Sequence, residues 1–457
     1  MTMPAARIAG IDPARLSAFA AREATAYAAA RPRTRAALES GTAAWLDGVP
    51  MHWMKDWPMP FPMLVAEAEG ARITDIDGHD LDDFCLGDTG SMFGHSPPPV
   101  VRAIRTQAGQ GLTYMLPTET ALEAGRLLAQ VFGPFRWQIA TTATDANRFA
   151  LRVARAVTGR PKVLVFNGCY HGTVDDTMVA RVDGRTVARP GLTGQAADLA
   201  QVAACAEFND LASVEALLQT GDIAAILTEP VMTNSCMVLP TPEFHEGLRA
   251  LATTYGALLI IDETHTISSG LGGYTRVHGL QPDIFVVGKC VAGGMPTAVW
   301  GLSEDVAARY IAYNAGRPSG HSGMGTTLSA NPMQFACLAA TLRDVMTPEA
   351  YAHMERGAAR LEAGLAKAIA RHAAPWHVVR VGARVEFICA PGPLRNGAEA
   401  TQAHQPQVEA AVHTALLNRG SLIAPFHNMM LVSPATEDAA IDRLIARFDT
   451  ILNELLP

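Results

Sequence analysis

Short apolar segments alternate with longer amphipathic stretches between about residue 99 and residue 323. The apolar segments predict buried strands at Trp137–Ala140, Val163–Phe166, Ala224–Thr228, Leu258–Asp262, Ile284–Val287 and Ala298–Leu302. The stretches between them predict helices, among them Ala146–Val157, Leu211–Gln219 and Phe244–Tyr255. Buried strands that alternate with helices are typical of a mostly parallel sheet covered on both faces. The pattern therefore predicts an α/β domain.

A different pattern precedes this region. Ala-rich helices are predicted at Pro13–Arg31 and Thr34–Trp45, and the Pro- and Trp-containing segment Gly48–Pro62 is predicted as a loop. That loop could line a pocket, or it could be an arm that packs on a neighbouring subunit. The strands Ala71–Asp75 and Leu81–Leu86 flank an Asp-Gly turn, which indicates a hairpin.

The pattern changes again after Asn331, where a long helix is predicted. Strands follow at His377–Val381 and Val385–Cys389 among further Ala-rich helices, which favours a smaller α+β domain. We expect the N-terminal segment to contribute to that same small domain. The predicted division of the chain is 1–95, 96–330 and 331–457, with the middle segment as the large domain.

Composition narrows the functions open to such a chain. The 457 residues carry a net charge of −8 with a pI near 6.0, which favours neither nucleic acids nor anionic membranes as partners. The 14 histidines lack the paired spacing of a structural metal site, so we expect no metal. The seven cysteines form no CxxC pair, which is typical of thiols in a reducing compartment. Without a signal-peptide pattern or a membrane-spanning apolar run, the chain is expected to be cytoplasmic.

Polar residues stand at the carboxyl ends of the predicted strands, which is where open α/β sheets bind ligands. The first strand is followed by Thr141–Asp145, small hydroxyl residues that could hold a phosphate or simply cap the next helix. The second is followed by Tyr170 and His171 between glycines, which could lie against a flat ring or be ordinary turn aromatics. Glu229 and Asn234 follow the third strand.

The last two strand ends carry a carboxylate and an amine. Asp262 closes a wholly apolar strand, and a buried carboxylate needs a positive partner, either a protonated pyridine nitrogen or a basic side chain. Lys289 follows another apolar strand, where a desolvated amine could attack an aldehyde, or where the side chain could simply reach out to solvent. A phosphate cradle, a stacking aromatic, an acid and an imine-forming lysine are together the groups expected around pyridoxal phosphate.

Several ordered segments resemble class III aminotransferases of fold type I, and the similarity runs from about Pro62 to the C-terminus. The branch that contains glutamate-semialdehyde aminomutase is the most similar. The segments that carry the resemblance are IIDETHTISSGLGG, PDIFVVGKCVAGGMP, FNGCYHG, TTLSANP and the hairpin region ARITDIDGHDLDDFCLGDTGSMFGHSPPPVVRAI. The resemblance implies a large domain with a mostly parallel seven-stranded sheet between helices, a smaller α+β domain, and pyridoxal 5'-phosphate as cofactor.

The resemblance also implies roles for individual residues. Lys289 would form the Schiff base and move protons, and Asp262 would keep the pyridine nitrogen protonated. Tyr170 would stack on the ring with His171 beside it, and Asn234 would sit near the phenolic oxygen. Thr327 would reach the phosphate from the other subunit, so a homodimer with shared active sites is the expected unit. The expected cofactor-binding set is Thr142, Ala143, Thr144, Tyr170, His171, Glu229, Asn234, Asp262, Thr264, Lys289 and Thr327.

Some positions depart from the family pattern. Ala143 replaces a glycine in the phosphate segment, Thr264 replaces an apolar residue behind the ring, and Ser269 replaces an arginine. The aminomutase branch carries an arginine in its N-terminal loop to grip a substrate carboxylate, whereas the equivalent residues 48–55 contain none. Lys55 could act there only as a point charge, so the departure disfavours strict aminomutase activity.

We expect an aminotransferase that moves an amino group between an amine or amino acid, possibly with a β- or ω-amino group, and a keto acid or aldehyde. A substrate with few carboxylates suits the Trp-containing loop, and the candidate substrate residues are Trp53, Lys55 and His427. His427 could equally be a structural histidine. The alternative is a pyridoxal-phosphate-dependent isomerase, either an aminomutase or an amino-acid or lactam racemase. A non-catalytic protein of the same fold is disfavoured because Lys289 and Asp262 are both present.

Overall fold

A computed structural model of the chain describes residues 7–41, 44–318, 322–425 and 427–456. Its helices are α1 (Pro13–Ala30), α2 (Pro32–Gly41), α3 (Pro98–Ala108), α4 (Glu119–Phe132), α5 (Ala143–Thr158), α6 (Leu211–Leu218), α7 (Phe244–Tyr255), α8 (Gly273–His278), α9 (Glu304–Ala315), α10 (Pro332–Asp344), α11 (Pro348–Arg371), α12 (Gly397–Ala403), α13 (Pro406–Asn418) and α14 (Asp438–Leu455). Its strands are β1 (Val65–Glu69), β2 (Arg72–Asp75), β3 (Asp80–Asp83), β4 (Arg136–Ala140), β5 (Lys162–Phe166), β6 (Val179–Val182), β7 (Arg185–Ala188), β8 (Ala203–Ala206), β9 (Ile223–Thr228), β10 (Leu258–Asp262), β11 (Ile284–Val287), β12 (Ala298–Leu302), β13 (His377–Val381), β14 (Arg384–Ile388), β15 (Ser421–Leu422) and β16 (Met429–Leu431).

The backbone contacts divide the chain into two compact units. The larger unit contains residues 97–351 and 394–402, and the smaller unit contains the described residues of 1–96, 352–393 and 403–457. The division into domains at residues 95 and 330 remains a prediction.

The larger unit is built around a seven-stranded sheet of order β4-β12-β11-β10-β9-β5-β8. The five strands from β11 to β8 run parallel, whereas β12 is antiparallel to both of its neighbours. Every residue of β9, β10, β11 and β12 is buried, as expected for a sheet covered on both faces. The predicted mostly parallel seven-stranded sheet is therefore confirmed. The pattern did not predict β8, since its alanines also suit a helix.

Helix α5 joins this sheet to the phosphate segment. Its N-cap is Thr142, whose side chain accepts a hydrogen bond from the N–H of Asp145, and its C-cap is Gly159, which has a φ of +70°. The helix buries one face that includes Ala146 and Phe149 against the sheet. Its N-terminus therefore lies where β4 ends, since only Thr141 and the N-cap separate the two elements.

The smaller unit contains two further sheets, of order β1-β2-β3-β15 and β13-β14-β16. Strands β2 and β3 pair antiparallel, which is the hairpin expected from the Asp-Gly turn. Trp376, Phe387 and Phe448 pack together in the apolar core of this unit. Helix α2 ends at Gly41, and residues 42 and 43 of the predicted second helix lie outside the described residues.

Among the described residues, no helix combines the length and apolarity needed to cross a bilayer.

Candidate active site

The carboxylate of Asp262 lies at the carboxyl end of β10, in the middle of the seven-stranded sheet. The residue is 4% exposed. Its Oδ2 atom accepts a hydrogen bond from Nδ2 of Asn147 at 2.8 Å, and its Oδ1 atom accepts one from the N–H of Thr264 at 3.1 Å. These donors compensate the burial of a charge that an apolar strand end would otherwise disfavour.

His171 supplies the positive partner of Asp262. Its Nδ1 atom lies 3.0 Å from Oδ2 of Asp262, and the residue is 1% exposed. Burial would raise the pKa of Asp262, but the hydrogen bond and charge of His171 lower it to about 2. Burial would likewise lower the pKa of His171, but Cys169 and Asp262 raise it to about 10. The pair is therefore an imidazolium and a carboxylate at neutral pH.

Lys289 follows β11 after a single glycine. Its φ of +50° places it in the left-handed region, which is uncommon for a residue with a side chain and is frequent at functional sites. Its Nζ atom lies 2.9 Å from Nε2 of His265. The lysine therefore faces the segment that leaves β10, three residues after Asp262.

The phosphate segment forms the first turn of α5. Helix geometry leaves the first N–H groups without partners inside the helix, and their dipole favours an anion. Ala143 is the first residue of the helix and does not have a positive φ, so its extra methyl causes no backbone strain. A Cβ placed on Gly288 would lie 2.9 Å from Cβ of Ala143. Because Gly288 has no side chain, there is space beside it for the methyl group of Ala143.

A closed series of contacts places the predicted residues around one region. It connects the phosphate segment, the lysine, the carboxylate and the turn after β5 back to the phosphate segment. Each contact below is joined to the next by a shared residue or by residues adjacent in sequence. The contacting pairs are Ala143 with Gly288, Lys289 with His265, Thr264 with Asp262, Asp262 with His171, and Gly172 with Thr144. A Cβ on Gly172 would clash with the side chain and Cα of Thr144, so this last approach requires glycine. The strand ends thus converge as parallel-sheet topology predicts.

The donors and acceptors of this region suit pyridoxal phosphate. Oγ1 of Thr264 and Nδ2 of Asn234 are buried and have no hydrogen-bond partner among the described residues. Buried polar atoms are rarely left unpaired, so two unpaired groups on the strand ends indicate a polar ligand. An ionised carboxylate, a primary amine and a helix N-terminus match the cofactor's ring nitrogen, aldehyde and phosphate. The residues present therefore fit the predicted cofactor.

Glu229 lies close to this region, but its pKa is shifted in the opposite direction from that of Asp262. The residue is 4% exposed, and its Oε2 atom accepts a hydrogen bond from the N–H of Thr233 at 3.2 Å. Burial raises its pKa, although the charge of His171 and the hydrogen bonds of Thr233 act in the opposite direction. Its contact with the cofactor remains a prediction.

Tyr170 and Thr327 are both accessible. Tyr170 is 39% exposed. Thr327 is exposed in the segment that precedes α10, in which Oγ of Ser329 lies 3.2 Å from Oγ1 of Thr141. Stacking by Tyr170 and phosphate binding by Thr327 of a partner subunit remain predictions.

The three candidate substrate residues belong to the smaller unit. Trp53 and Lys55 lie on a short 3-10 helix, His52–Lys55, where Trp53 is 39% exposed and Lys55 forms an ion pair with Asp47 at 2.6 Å. His427 is 9% exposed, and its Nδ1 atom lies 3.6 Å from Oε1 of Glu386. Their contact with a substrate remains a prediction.

Sequence reasoning missed two residues of this region, Asn147 and His265. Asn147 lies four residues after Ala143, which places both on the same face of α5, so helical spacing alone was a usable signal. His265 stands three residues after the predicted carboxylate, but nothing in the pattern shows that a turn directs it toward Lys289. That contact depends on the pairing of β10 with β11.

Comparisons with known proteins agree with this arrangement. The family model described as "Aminotransferase class-III" matches residues 53–452. The glutamate-1-semialdehyde 2,1-aminomutase of Roseiflexus castenholzii is 37% identical over 391 residues, which cover 84% of this chain and 88% of the relative.

Solved structures extend the comparison. A glutamate-1-semialdehyde-aminomutase from Pseudomonas aeruginosa PAO1 is 48% identical with a TM-score of 0.96, over 98% of this chain and 100% of that one. That aminomutase has also been solved as a variant in complex with PMP. A β-phenylalanine aminotransferase from Variovorax paradoxus is 26% identical with a TM-score of 0.83, over 96% of this chain and 97% of that one.

Proposed function

The chain belongs to the class III aminotransferase family, and we propose that it is a pyridoxal-phosphate-dependent isomerase that moves an amino group within one substrate. The family and its cofactor agree with the sequence-based prediction. Within the family, the relatives named aminomutases support the isomerase alternative better than the transaminase that the motifs favoured. The observation that carries the proposal is the 48% identity to a solved aminomutase over 98% of this chain.

Asp262 and Lys289 have defined tasks under this proposal. Bound pyridoxal phosphate supplies a ring that accepts an electron pair when a proton leaves the carbon next to the amino group. Asp262, kept ionised by His171, would hold the ring nitrogen in its protonated form. Lys289 would hold the cofactor covalently and then carry the proton away from and back to the substrate.

The remaining residues would bind and orient. The first turn of α5, with Thr142, Ala143 and Thr144, would hold the phosphate. Tyr170 would cover one face of the ring. The unpaired Nδ2 of Asn234 and Oγ1 of Thr264 would form hydrogen bonds with polar atoms of the ring. A homodimer in which Thr327 of the partner completes the phosphate site would be the active unit.

A second candidate, transamination, is favoured by the loop that carries Trp53. The resemblance implies a carboxylate-binding arginine there in the aminomutase branch, whereas residues 48–55 contain no arginine, and their single lysine, Lys55, pairs with Asp47. A lysine that has a carboxylate partner is a poor substitute for a bidentate arginine. A substrate carboxylate would therefore not be held by a bidentate contact in this loop, which favours a substrate that differs from that of the aminomutases, such as a β- or ω-amino compound.

Turnover with and without an acceptor separates the two candidates. The cofactor-loaded protein would be given glutamate-1-semialdehyde and a panel of β- and ω-amino compounds, each alone and each with pyruvate or 2-oxoglutarate. An isomerase that moves the amino group converts one compound into its positional isomer with no acceptor. Alanine or glutamate that forms only when the keto acid is present would overturn the isomerase proposal and establish transamination.

A further inference from the structure

We propose that Asn147 is a positioning residue that holds the carboxylate of Asp262 in the orientation required by the ring nitrogen of the cofactor. The proposal rests on the proposed role of Asp262 as the partner of that nitrogen. It does not depend on whether the overall reaction is an isomerisation or a transamination.

The side-chain amide of Asn147 donates two hydrogen bonds. Its Nδ2 atom lies 2.8 Å from Oδ2 of Asp262 and 3.2 Å from the carbonyl oxygen of His171. Both neighbours are acceptors, so the amide satisfies them only when Nδ2 faces them and Oδ1 faces away. The two contacts therefore fix the orientation of the amide.

Asn147 joins three elements of the larger unit. It belongs to the second turn of α5, whereas Asp262 ends β10 and His171 lies in the turn after β5. The predicted phosphate segment forms the first turn of the same helix, where Ala143 is the first helical residue. Because groups carried by one helix keep a fixed separation, a carboxylate bound to Asn147 is held at a set distance from the phosphate segment. The side chain therefore relates the predicted site of the ring nitrogen to that of the phosphate.

Asn147 and His171 bind the same oxygen of Asp262. Nδ1 of His171 lies 3.0 Å from Oδ2, which also accepts the hydrogen bond from Asn147. A carboxylate oxygen has two acceptor positions, so these two residues use both positions of Oδ2. Rotation of the carboxylate would break both bonds where little water can replace them, because all three side chains are buried. The two contacts together therefore restrain the carboxylate.

The surroundings of Asn147 argue against a purely structural role. The residue is fully buried, and among the described residues its Oδ1 atom has no hydrogen-bond partner. An unpaired buried oxygen costs free energy, which a leucine of similar shape would not incur. The asparagine is therefore better explained by its two donated hydrogen bonds than by its packing.

Two substitutions separate the hydrogen bonds from the packing. Asn147→Leu keeps the approximate shape of the side chain and removes both donors, whereas Asn147→Ala removes the donors and leaves a cavity. Val153→Ala is the matched control, because Val153 is a fully buried residue of the same helix and lies outside the contacts described above. It should lower the thermal midpoint without a change at Asp262.

The test follows the protonation of the ring nitrogen rather than turnover alone. Each protein would be loaded with pyridoxal phosphate that carries an isotope label at this nitrogen, and its NMR signal would be recorded near neutral pH. We expect a protonated nitrogen in the parent protein and in Val153→Ala. In Asn147→Leu and Asn147→Ala the signal should shift toward that of the unprotonated ring, with kcat lower by roughly 10-fold. A signal of Asn147→Leu that coincides with that of the parent protein would overturn the proposal.

Crystal structures of the cofactor-free variants provide a second measurement, which does not require loading. The carboxylate of Asp262 should rotate from its parent orientation in Asn147→Leu and Asn147→Ala, and it should remain in place in Val153→Ala. A carboxylate that keeps the parent orientation in both variants of Asn147 would also overturn the proposal.

Asp262→Asn distinguishes the failure of this proposal from that of its premise. The ring nitrogen should be unprotonated in this variant if Asp262 is its partner. A protonated nitrogen in Asp262→Asn would refute the role of Asp262, and with it that of Asn147. An unprotonated nitrogen in Asp262→Asn, together with a protonated one in Asn147→Leu, would refute the role of Asn147 alone.

Discussion

Nδ1 of His171 lies 3.0 Å from Oδ2 of Asp262, and both side chains are almost fully buried. His171 lies in the turn that follows β5, whereas Asp262 is the last residue of β10, another strand of the same sheet. Their ion pair keeps a carboxylate charged where an apolar strand end would favour the neutral acid. A permanently charged Asp262 is what a protonated ring nitrogen would require.

The contribution of this ion pair to stability should depend on pH. Because the pKa of Asp262 is lowered in the folded protein, its carboxylate stabilises the fold above about pH 4, and this stabilisation is lost as the pH falls through about 2. Because the pKa of His171 is raised in the folded protein, its imidazolium stabilises the fold fully below about pH 6.5, and this stabilisation is lost as the pH rises through about 10. His171→Gln in the cofactor-free protein should therefore lower the thermal midpoint more at pH 6 than at pH 10. An equal loss at both values would contradict the charged pair, and His278→Gln should show little change at either pH.

Removal of the charge of Asp262 should slow turnover without unfolding the protein. Asp262→Asn keeps the shape of the side chain, but it cannot hold the ring nitrogen protonated. We expect turnover to fall by at least about 100-fold, or roughly 3 kcal/mol of barrier. The measurement is kcat of the cofactor-loaded variant against that of Asp175→Asn, which removes an exposed carboxylate. A rate for Asp262→Asn within a few-fold of the parent protein would refute the assigned role.

Lys289→Ala should abolish turnover while it leaves the secondary structure intact. The alanine lacks the amine that would bind the cofactor and carry the proton. Lys367→Ala, which removes an exposed lysine of α11, should retain activity. Circular dichroism and turnover together provide the measurement. Retained turnover in Lys289→Ala would mean that another lysine performs the reaction.

Gly288→Ala should weaken cofactor retention, and Ala143→Gly should partly restore it. The added Cβ would lie 2.9 Å from Cβ of Ala143 and 3.3 Å from Cβ of Ala298, so the first turn of α5 would be displaced. We expect the dissociation constant for pyridoxal phosphate to rise by roughly 10-fold, which is about 1.4 kcal/mol, and to recover partly in the double variant. Gly109→Ala is the control, because its φ is −82° and its added Cβ would meet only a carbonyl at 3.8 Å. A double variant that is no better than Gly288→Ala would refute the proposed contact.

Subunit mixing tests the shared active site. Thr327→Arg should block the phosphate site of the partner, whereas Lys289→Ala disables the site of its own chain. Each variant alone should therefore be inactive, and a mixed dimer should contain one intact site. Recovery of up to about a quarter of the parent activity after co-refolding is expected, because half of the random dimers are mixed and each of those has one site of two. No recovery in mixtures that form dimers by light scattering would place Thr327 in its own chain's site, and a Thr327→Arg variant that is active by itself would place it outside any site.

The alternation of apolar and amphipathic segments was enough to predict the α/β class. All six strands predicted between residues 99 and 323 are present, and Phe244–Tyr255 forms a helix over its predicted bounds. These elements were predictable because a buried strand or helix needs apolar residues at its buried positions. Residues at strand ends were predicted for a related reason. Parallel topology brings consecutive strand ends to one edge, so Asp262 and Lys289 could be grouped before any distance was known.

Side-chain contacts between different strand ends could not be predicted from the sequence. The sequence alone determined which residues could carry charge, amine and phosphate chemistry, since residue type and position at a strand end are local properties. Only the tertiary structure decided that His171 pairs with Asp262, that Gly288 makes room for Ala143, and that His265 faces Lys289. These contacts join residues distant in sequence, and their partners depend on strand order and on turn conformation, neither of which leaves a periodic signal in the sequence.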